Sequence, residues 1–124
     1  MPTGVFAVPD FMNFMKKERV ADATLVEAIE KVERGLMDAD LGGGLLKLRV
    51  ARPGQGRSGG YRTIVARRVG ARAFFLVGYG KNDLDNIGDA TLARLRRFAE
   101  ELQLLTDDEL DNVTASGAMR EIER

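Results

Sequence analysis

Three segments in the middle of the chain determine the expected fold: LLKLRVAR at 45–52, YRTIVARR at 61–68 and RAFFLVGY at 72–79. In the first segment, apolar side chains alternate with Lys47, Arg49 and Ala51, which is the period-two pattern of a strand with one apolar and one basic face. The third segment is the most apolar and is therefore expected near the centre of the sheet. Glycine-rich connections between the segments predict antiparallel strands.

The surrounding stretch, Leu41–Asn82, contains nine Lys and Arg residues and no Asp or Glu. The chain as a whole has 19 basic and 19 acidic residues, which gives a net charge of zero. This balance combines a basic central segment with flanking segments that carry all the acidic residues. A segregated basic patch raises the local concentration of a polyanion. The alternative is that these side chains are the solvated outer faces of the strands, and charge alone does not separate the two interpretations.

Helices are predicted before and after the three strands along the chain. A helix entered at Pro9 precedes a second one that is capped by Asp22 or Thr24 and ends near Gly35. Its apolar stripe is Leu25, Ile29, Val32 and Leu36. The segment 38–44 is expected to be a polar turn. A long helix follows Asp89, with apolar positions Leu92, Leu95, Phe98, Leu102 and Leu105, and Thr106 with Glu109 forms a capping box for a last short helix. Val5–Val8 and the C-terminal tail are candidate extra strands.

Composition excludes several kinds of chemistry. The chain has 124 residues, which fits a single domain spanning 1–124, and it lacks both Cys and His. Thiolate catalysis and the commonest metal ligands are therefore excluded, and no cofactor or metal is expected. There is neither an apolar run of membrane-spanning length nor a signal-like start, so the predicted location is the cytoplasm, with no membrane partner.

Residues 54–59, GQGRSG, match the glycine spacing of a dinucleotide-binding loop. That motif requires a helix after the glycines, whose N-terminus holds the pyrophosphate. Here the glycines lead into the strand at 61–68, so the dinucleotide interpretation is rejected.

The combination of a KLR strand at 47–49, the sequence RSGGYR at 57–62 and an apolar strand ending in GYGK at 78–81 resembles the RelE/ParE superfamily of bacterial toxins. LGGG at 41–44 and KN at 81–82 make the chain most similar to its HigB-like branch. The resemblance implies an α+β, RelE-like fold, with two N-terminal helices packed on an antiparallel sheet of about four strands and one or more C-terminal helices. It also implies the toxin of a type II toxin–antitoxin module, an endoribonuclease (mRNA interferase) that inhibits translation by cutting messenger RNA on the ribosome. The expected partners are mRNA, the ribosome and a cognate antitoxin, taken to be a small helix-turn-helix protein.

The resemblance also assigns roles to residues. Arg62 falls on the family's phosphate-contacting Arg, and Lys47, Arg49 and Lys81 fall on its other basic site positions. Additional RNA contacts are expected from basic, aromatic and amide side chains around them: Arg52, Arg57, Arg67, Arg68, Arg72, Tyr79 and Asn82. Tyr61 is expected to point into the core.

RNA carries its own nucleophile, the 2′-hydroxyl, so such a site works if it aligns that group and stabilises the developing charge. Arg62 is expected to neutralise the phosphate, and Lys47 or Lys81 to transfer protons. Two positions differ from the RelE pattern, since Asn82 replaces an Arg and Gly88 replaces a Tyr. These differences keep two alternatives open: a non-catalytic protein that binds nucleic acid or an acidic partner, and a ParE-like toxin directed at gyrase.

Overall fold

The computed structural model describes residues 4–37, 39–51, 60–68, 72–80 and 87–124. Within these ranges, six strands form one sheet and four helices pack around it. In chain order the elements are β1 (Gly4–Ala7), α1 (Pro9–Glu18), α2 (Asp22–Glu33), β2 (Ala39–Gly42), β3 (Leu45–Val50), β4 (Tyr61–Arg67), β5 (Arg72–Tyr79), α3 (Asp89–Gln103), α4 (Asp107–Ala115) and β6 (Arg120–Ile122). The α+β class and the RelE-like arrangement of two helices before the central strands are as predicted.

The sheet has the order β2-β3-β4-β5-β1-β6 and is mixed. The three predicted strands pair antiparallel as β3, β4 and β5, and β5 occupies the expected interior position. β1 runs parallel to β5, and β6 pairs antiparallel with β1. The expected antiparallel sheet of about four strands is thus a mixed sheet of six among the described residues, because β2 and the short strands at the two chain ends add to the three central strands and β1 is parallel to β5.

One face of the sheet packs against α1 and α2. The ring of Phe11 lies with its centroid 5.0 Å from that of Phe75, and Phe14 meets Tyr61 edge-on at 5.1 Å. Gly78 makes this packing possible, since a Cβ there would lie 2.5 Å from the Phe14 ring. Close contact between α1 and β5 therefore depends on the absence of a side chain at position 78.

The opposite face is covered only in part, by α3. Leu45, Ala66 and Phe74 form a buried row across β3, β4 and β5, and Ala66 shares a cleft with Ala99 of α3. The helix is tied to the sheet by its side chains, since Gln103 Nε2 donates to the Arg72 carbonyl at 3.1 Å. α3 thus covers the end of the strands that carries this apolar row.

Several local predictions need correction. The segment 39–42 forms the edge strand β2 instead of a turn, although Asp40 Oδ1 accepts a turn-like hydrogen bond from Gly42 N at 2.9 Å. α2 has no side-chain cap, because it begins at Asp22 after Ala21 and Thr24 already lies within it. Leu36 follows the positive-φ Gly35 and is 58% exposed, so it does not continue the buried stripe.

The C-terminal helices follow the sequence more closely. Thr106 and Glu109 form the predicted capping box, with Glu109 N donating to Thr106 Oγ1 at 3.1 Å and Thr106 N donating to Glu109 Oε1 at 2.9 Å. These hydrogen bonds, from the backbone first and the Thr106 side chain second, lower the pKa of the Glu109 carboxyl. In α3 the cap is Gly88 and not Asp89, and Phe98 is 38% exposed. No helix in the described part of the chain is both long and apolar enough to cross a bilayer.

Candidate functional site

Strand register brings the central basic residues to one face of the sheet. Arg49 on β3 is paired with Arg62 on β4, and Arg62 is paired with Tyr79 on β5. Directly paired residues of antiparallel strands project to the same face, with Cβ atoms about 5 Å apart. Arg49, Arg62 and Tyr79 therefore form one row across three strands.

Lys47 stands on the same face, two residues along β3 from Arg49. Its row continues through Ile64 and Val77, which are apolar. Ile64 is fully buried, whereas Lys47 and Val77 are partly exposed. The apolar side chains of Ile64 and Val77 therefore lie next to the cations at this end of the sheet. They would exclude water from one side of a bound anion, which strengthens charge interactions there.

The backbone before β4 positions Arg62. Its Nη1 donates to the Gly60 carbonyl at 3.1 Å, and the side chain is partly exposed. Gly60 is buried, and a Cβ at this position would lie 2.6 Å from the Val50 carbonyl oxygen. The glycine therefore lets the start of β4 approach the end of β3 closely, which brings Arg62 opposite Arg49.

The two tyrosines lie in different environments. Tyr61 is buried on the α1 face, as predicted, and its hydroxyl donates to Glu18 Oε2 at 2.8 Å. Tyr79 is partly exposed at the end of the Arg62 row, and burial raises the pKa of its phenol. Tyr79 therefore stays a neutral hydrogen-bond donor and stacking surface at physiological pH.

The structure separates the remaining predicted contacts. Arg67 and Arg68 lie at the far end of β4 from Arg62. Arg72 is engaged within the fold, since its guanidinium donates to the Leu105 carbonyl at 2.6 Å and to Asp107 Oδ1 at 2.7 Å. It links the start of β5 to the α3–α4 connection. Four of the predicted site residues lie outside the described residues: Arg52, Arg57, Lys81 and Asn82.

Sequence reasoning missed a second basic cluster. In the sequence, Arg94, Arg96 and Arg97 stand close to Glu100 and Glu101 on one helix, a pattern typical of a solvated face with ion pairs, but no such ion pair is present among these described residues. Arg96 instead reaches the β2–β3 turn, where its Nη2 donates to the Leu41 carbonyl at 2.6 Å. The arginine spacing in α3 was visible in the sequence, but the turn that it contacts is distant along the chain.

Across the described ranges, no group of three or more Asp or Glu side chains is placed to hold a metal ion. The chemistry available at the Arg62 row is that of cations and a phenol, which suits recognition of a phosphate.

The α+β fold, with its basic row on one face of the sheet, agrees with the RelE-like fold anticipated from the sequence. The family model described as the RelE toxin of the RelE/RelB toxin–antitoxin system matches residues 3–122. The chain therefore belongs to the RelE toxin family. A comparison with curated proteins gave no significant match. Assignment to the HigB-like branch stays a prediction.

Proposed function

We propose that this protein is the toxin of a two-component module and that it cleaves messenger RNA on the ribosome. Family membership supports the toxin assignment. The observation that carries the nuclease assignment is the row of Arg49, Arg62 and Tyr79 on one sheet face with Lys47 beside it. A phosphate bound at this row could accept hydrogen bonds from both guanidinium groups.

The proposed reaction uses the RNA as its own nucleophile. The 2′-oxygen attacks the adjacent phosphorus, the bond from phosphorus to the 5′-oxygen breaks, and a 2′,3′-cyclic phosphate remains on the upstream fragment. The proton of the 2′-hydroxyl leaves to a base, and the departing 5′-oxygen gains one. No metal is required if fixed cations stabilise the charge on the phosphoryl oxygens.

Each side chain has a proposed part in this step. The Arg62 guanidinium has a planar set of donors that matches two phosphoryl oxygens, while one nitrogen remains anchored on Gly60. Arg49 would share the charge from the neighbouring strand, and Lys47 would transfer a proton. Tyr79 offers a ring on which a base can stack. Lys81, outside the described residues, keeps its proposed role as a second basic group.

The cognate antitoxin is proposed to act by covering this face. A protein that blocks the Arg62 row would prevent RNA from reaching it, and an acidic segment would suit its charge. Whether that antitoxin is a small helix-turn-helix protein is part of the proposal and can be examined from the neighbouring gene.

Induced expression in bacteria, followed by mapping of messenger 5′ ends, tests this function. We expect growth arrest with new 5′ ends inside translated codons, and loss of both with Arg62→Ala. Arrest with intact messengers and inhibited DNA supercoiling would instead favour a gyrase-directed toxin. If growth continued and messengers stayed intact, the non-catalytic binding protein would be favoured.

A further inference from the structure

A second cluster of arginines lines a cleft between α3 and the sheet. The cleft has a volume of about 630 Å³, and its basic side chains come from two distant parts of the chain. Arg67 and Arg68 lie at the end of β4, and Arg96 and Arg97 lie on α3. Glu100 is the acidic residue in the lining, and no ion pair joins it to these arginines. The cleft therefore holds a concentrated, uncompensated positive charge.

Strand alternation decides which arginine of β4 faces the cleft. Ala66 lines the cleft on the α3 side of the sheet, so the side chain of the next residue, Arg67, belongs to the opposite face, where Phe75 packs against Phe11. Arg68, one residue further along, returns to the side of the cleft and is exposed. Arg68 therefore approaches the cleft from the sheet, and Arg97 approaches it from α3.

The wall of the cleft is built to keep its shape. Arg96 is fixed across the β2–β3 turn by hydrogen bonds to the Leu41 and Gly42 carbonyls. Gly43 allows this crossing, because a Cβ there would lie 2.8 Å from Arg96 Cδ. With Arg96 held in place, Arg68 and Arg97 remain exposed, and their side chains make no hydrogen bond or ion pair within the described residues, so the two guanidinium groups are available to a ligand.

The cleft is distinct from the Arg62 row. Arg68 lies six residues from Arg62, which corresponds to about 20 Å at the rise of an extended chain. The two sites therefore cannot hold the same phosphate group. A single RNA strand that lies on the Arg62 row can place another of its phosphates in the cleft.

We propose that the cleft lined by Arg68, Arg96 and Arg97 is an anion site that holds a phosphodiester of RNA other than the one cleaved. The proposal rests on the proposed function, since that function supplies the RNA. It adds α3 to the RNA-binding surface. The cleft anchors the strand by its backbone and carries no base specificity.

Binding of a short fluorescein-labelled single-stranded RNA, measured by anisotropy at several salt concentrations without ribosomes, tests the site. The test variants are Arg97→Gln and Arg68→Gln, both at exposed positions, and the matched control is Arg94→Gln, on the same helix but outside the cleft. Each test variant should weaken binding about tenfold at low salt. Each should also reduce the slope of log affinity against log salt by about 0.7, the value for one phosphate contact to a single strand. Arg94→Gln should change neither.

Equal affinity and slope for Arg97→Gln, Arg68→Gln and Arg94→Gln would overturn the proposal. Inorganic phosphate and AMP serve as competitors that identify the source of the phosphate. Arginine-dependent binding of AMP with unchanged RNA affinity would show a site for a free nucleotide and would also overturn it. If the wild-type protein cleaves no messenger but Arg97→Gln still weakens RNA binding, the proposed function is contradicted and this site is supported.

Discussion

Arg49 and Arg62 are directly paired across β3 and β4, so two guanidinium groups project from the same face of the sheet. Tyr79 continues their row on β5. At the usual strand spacing of about 4.8 Å, the row spans about 10 Å, wide enough for a phosphate and an adjoining base. This arrangement is the structural basis of the proposed RNA site.

Gly60 should be as important to the site as a charged residue. Gly60→Ala would place a Cβ 2.6 Å from the Val50 carbonyl oxygen, and backbone cannot move aside as a flexible side chain can. We expect a loss of stability of about 1–3 kcal/mol together with reduced cleavage, because Arg62 hydrogen-bonds to the Gly60 carbonyl. Chemical denaturation and a cleavage assay measure the two effects. Gly88→Ala is the control, since nothing lies within 4 Å of its added Cβ; equal behaviour of the two variants would contradict the prediction.

Gly78→Ala should affect stability. The added methyl group would meet the Phe14 ring at 2.5 Å and separate α1 from β5. We expect a destabilisation of about 1–3 kcal/mol, the usual cost of overpacking a core. Partial recovery in the double variant Gly78→Ala/Phe14→Leu would identify the clash as the cause. No change in the denaturation midpoint for Gly78→Ala would show that the helix does not pack as closely as described.

Tyr61 should be structural and not catalytic. Its hydroxyl donates to the Glu18 carboxylate on the face opposite Arg62, so Tyr61→Phe leaves the RNA side of the sheet intact. We expect it to lower the free energy of unfolding by about 1–2 kcal/mol, since the lost hydrogen bond involves a charged acceptor. Cleavage measured well below the melting temperature should be unchanged. A large loss of cleavage with normal stability would assign Tyr61 a role in the reaction.

Tyr79 should ionise only at high pH. Burial raises the pKa of its phenol above the ordinary value of about 10. Because the folded state holds this proton more tightly than the unfolded state, the contribution of Tyr79 to stability is complete below pH 10 and decreases as the pH rises above it. Ultraviolet titration of the Tyr61→Phe variant isolates this group, since the chain has two tyrosines. Ionisation below pH 10 would contradict the structure.

The sequence predicted those features that depend on short-range pattern. Alternation along 45–50 and 61–67 was enough to define β3 and β4 and to place Lys47 and Arg49 on one face. The position of Arg62 on the same face as Arg49 depends on the register between β3 and β4, because a shift of one residue would turn Arg62 to the other face. The capping box at Thr106 was equally local, and it formed as predicted.

Features that depend on distant contacts were not predictable in this way. β2 becomes a strand because β3 is available to pair with it, although its own sequence contains Asp40 and Gly42. β6 forms because β1 has a free edge. Likewise, Arg68 and the arginines of α3 come to one cleft only through the packing of α3 against the end of β4, so the cleft had no signal in the sequence.

The most direct test of the central claim is cleavage of a defined messenger by the purified protein in the presence of purified ribosomes. Wild-type protein should cut within the translated region, and Arg62→Ala should lower the rate about 10²–10³-fold, as expected when one donor to a developing charge is removed. The control variant Arg94→Ala alters an exposed arginine on α3 away from the Arg62 row and should cleave normally. Equal rates for Arg62→Ala and Arg94→Ala, or no cleavage by the folded wild-type protein, would contradict the account.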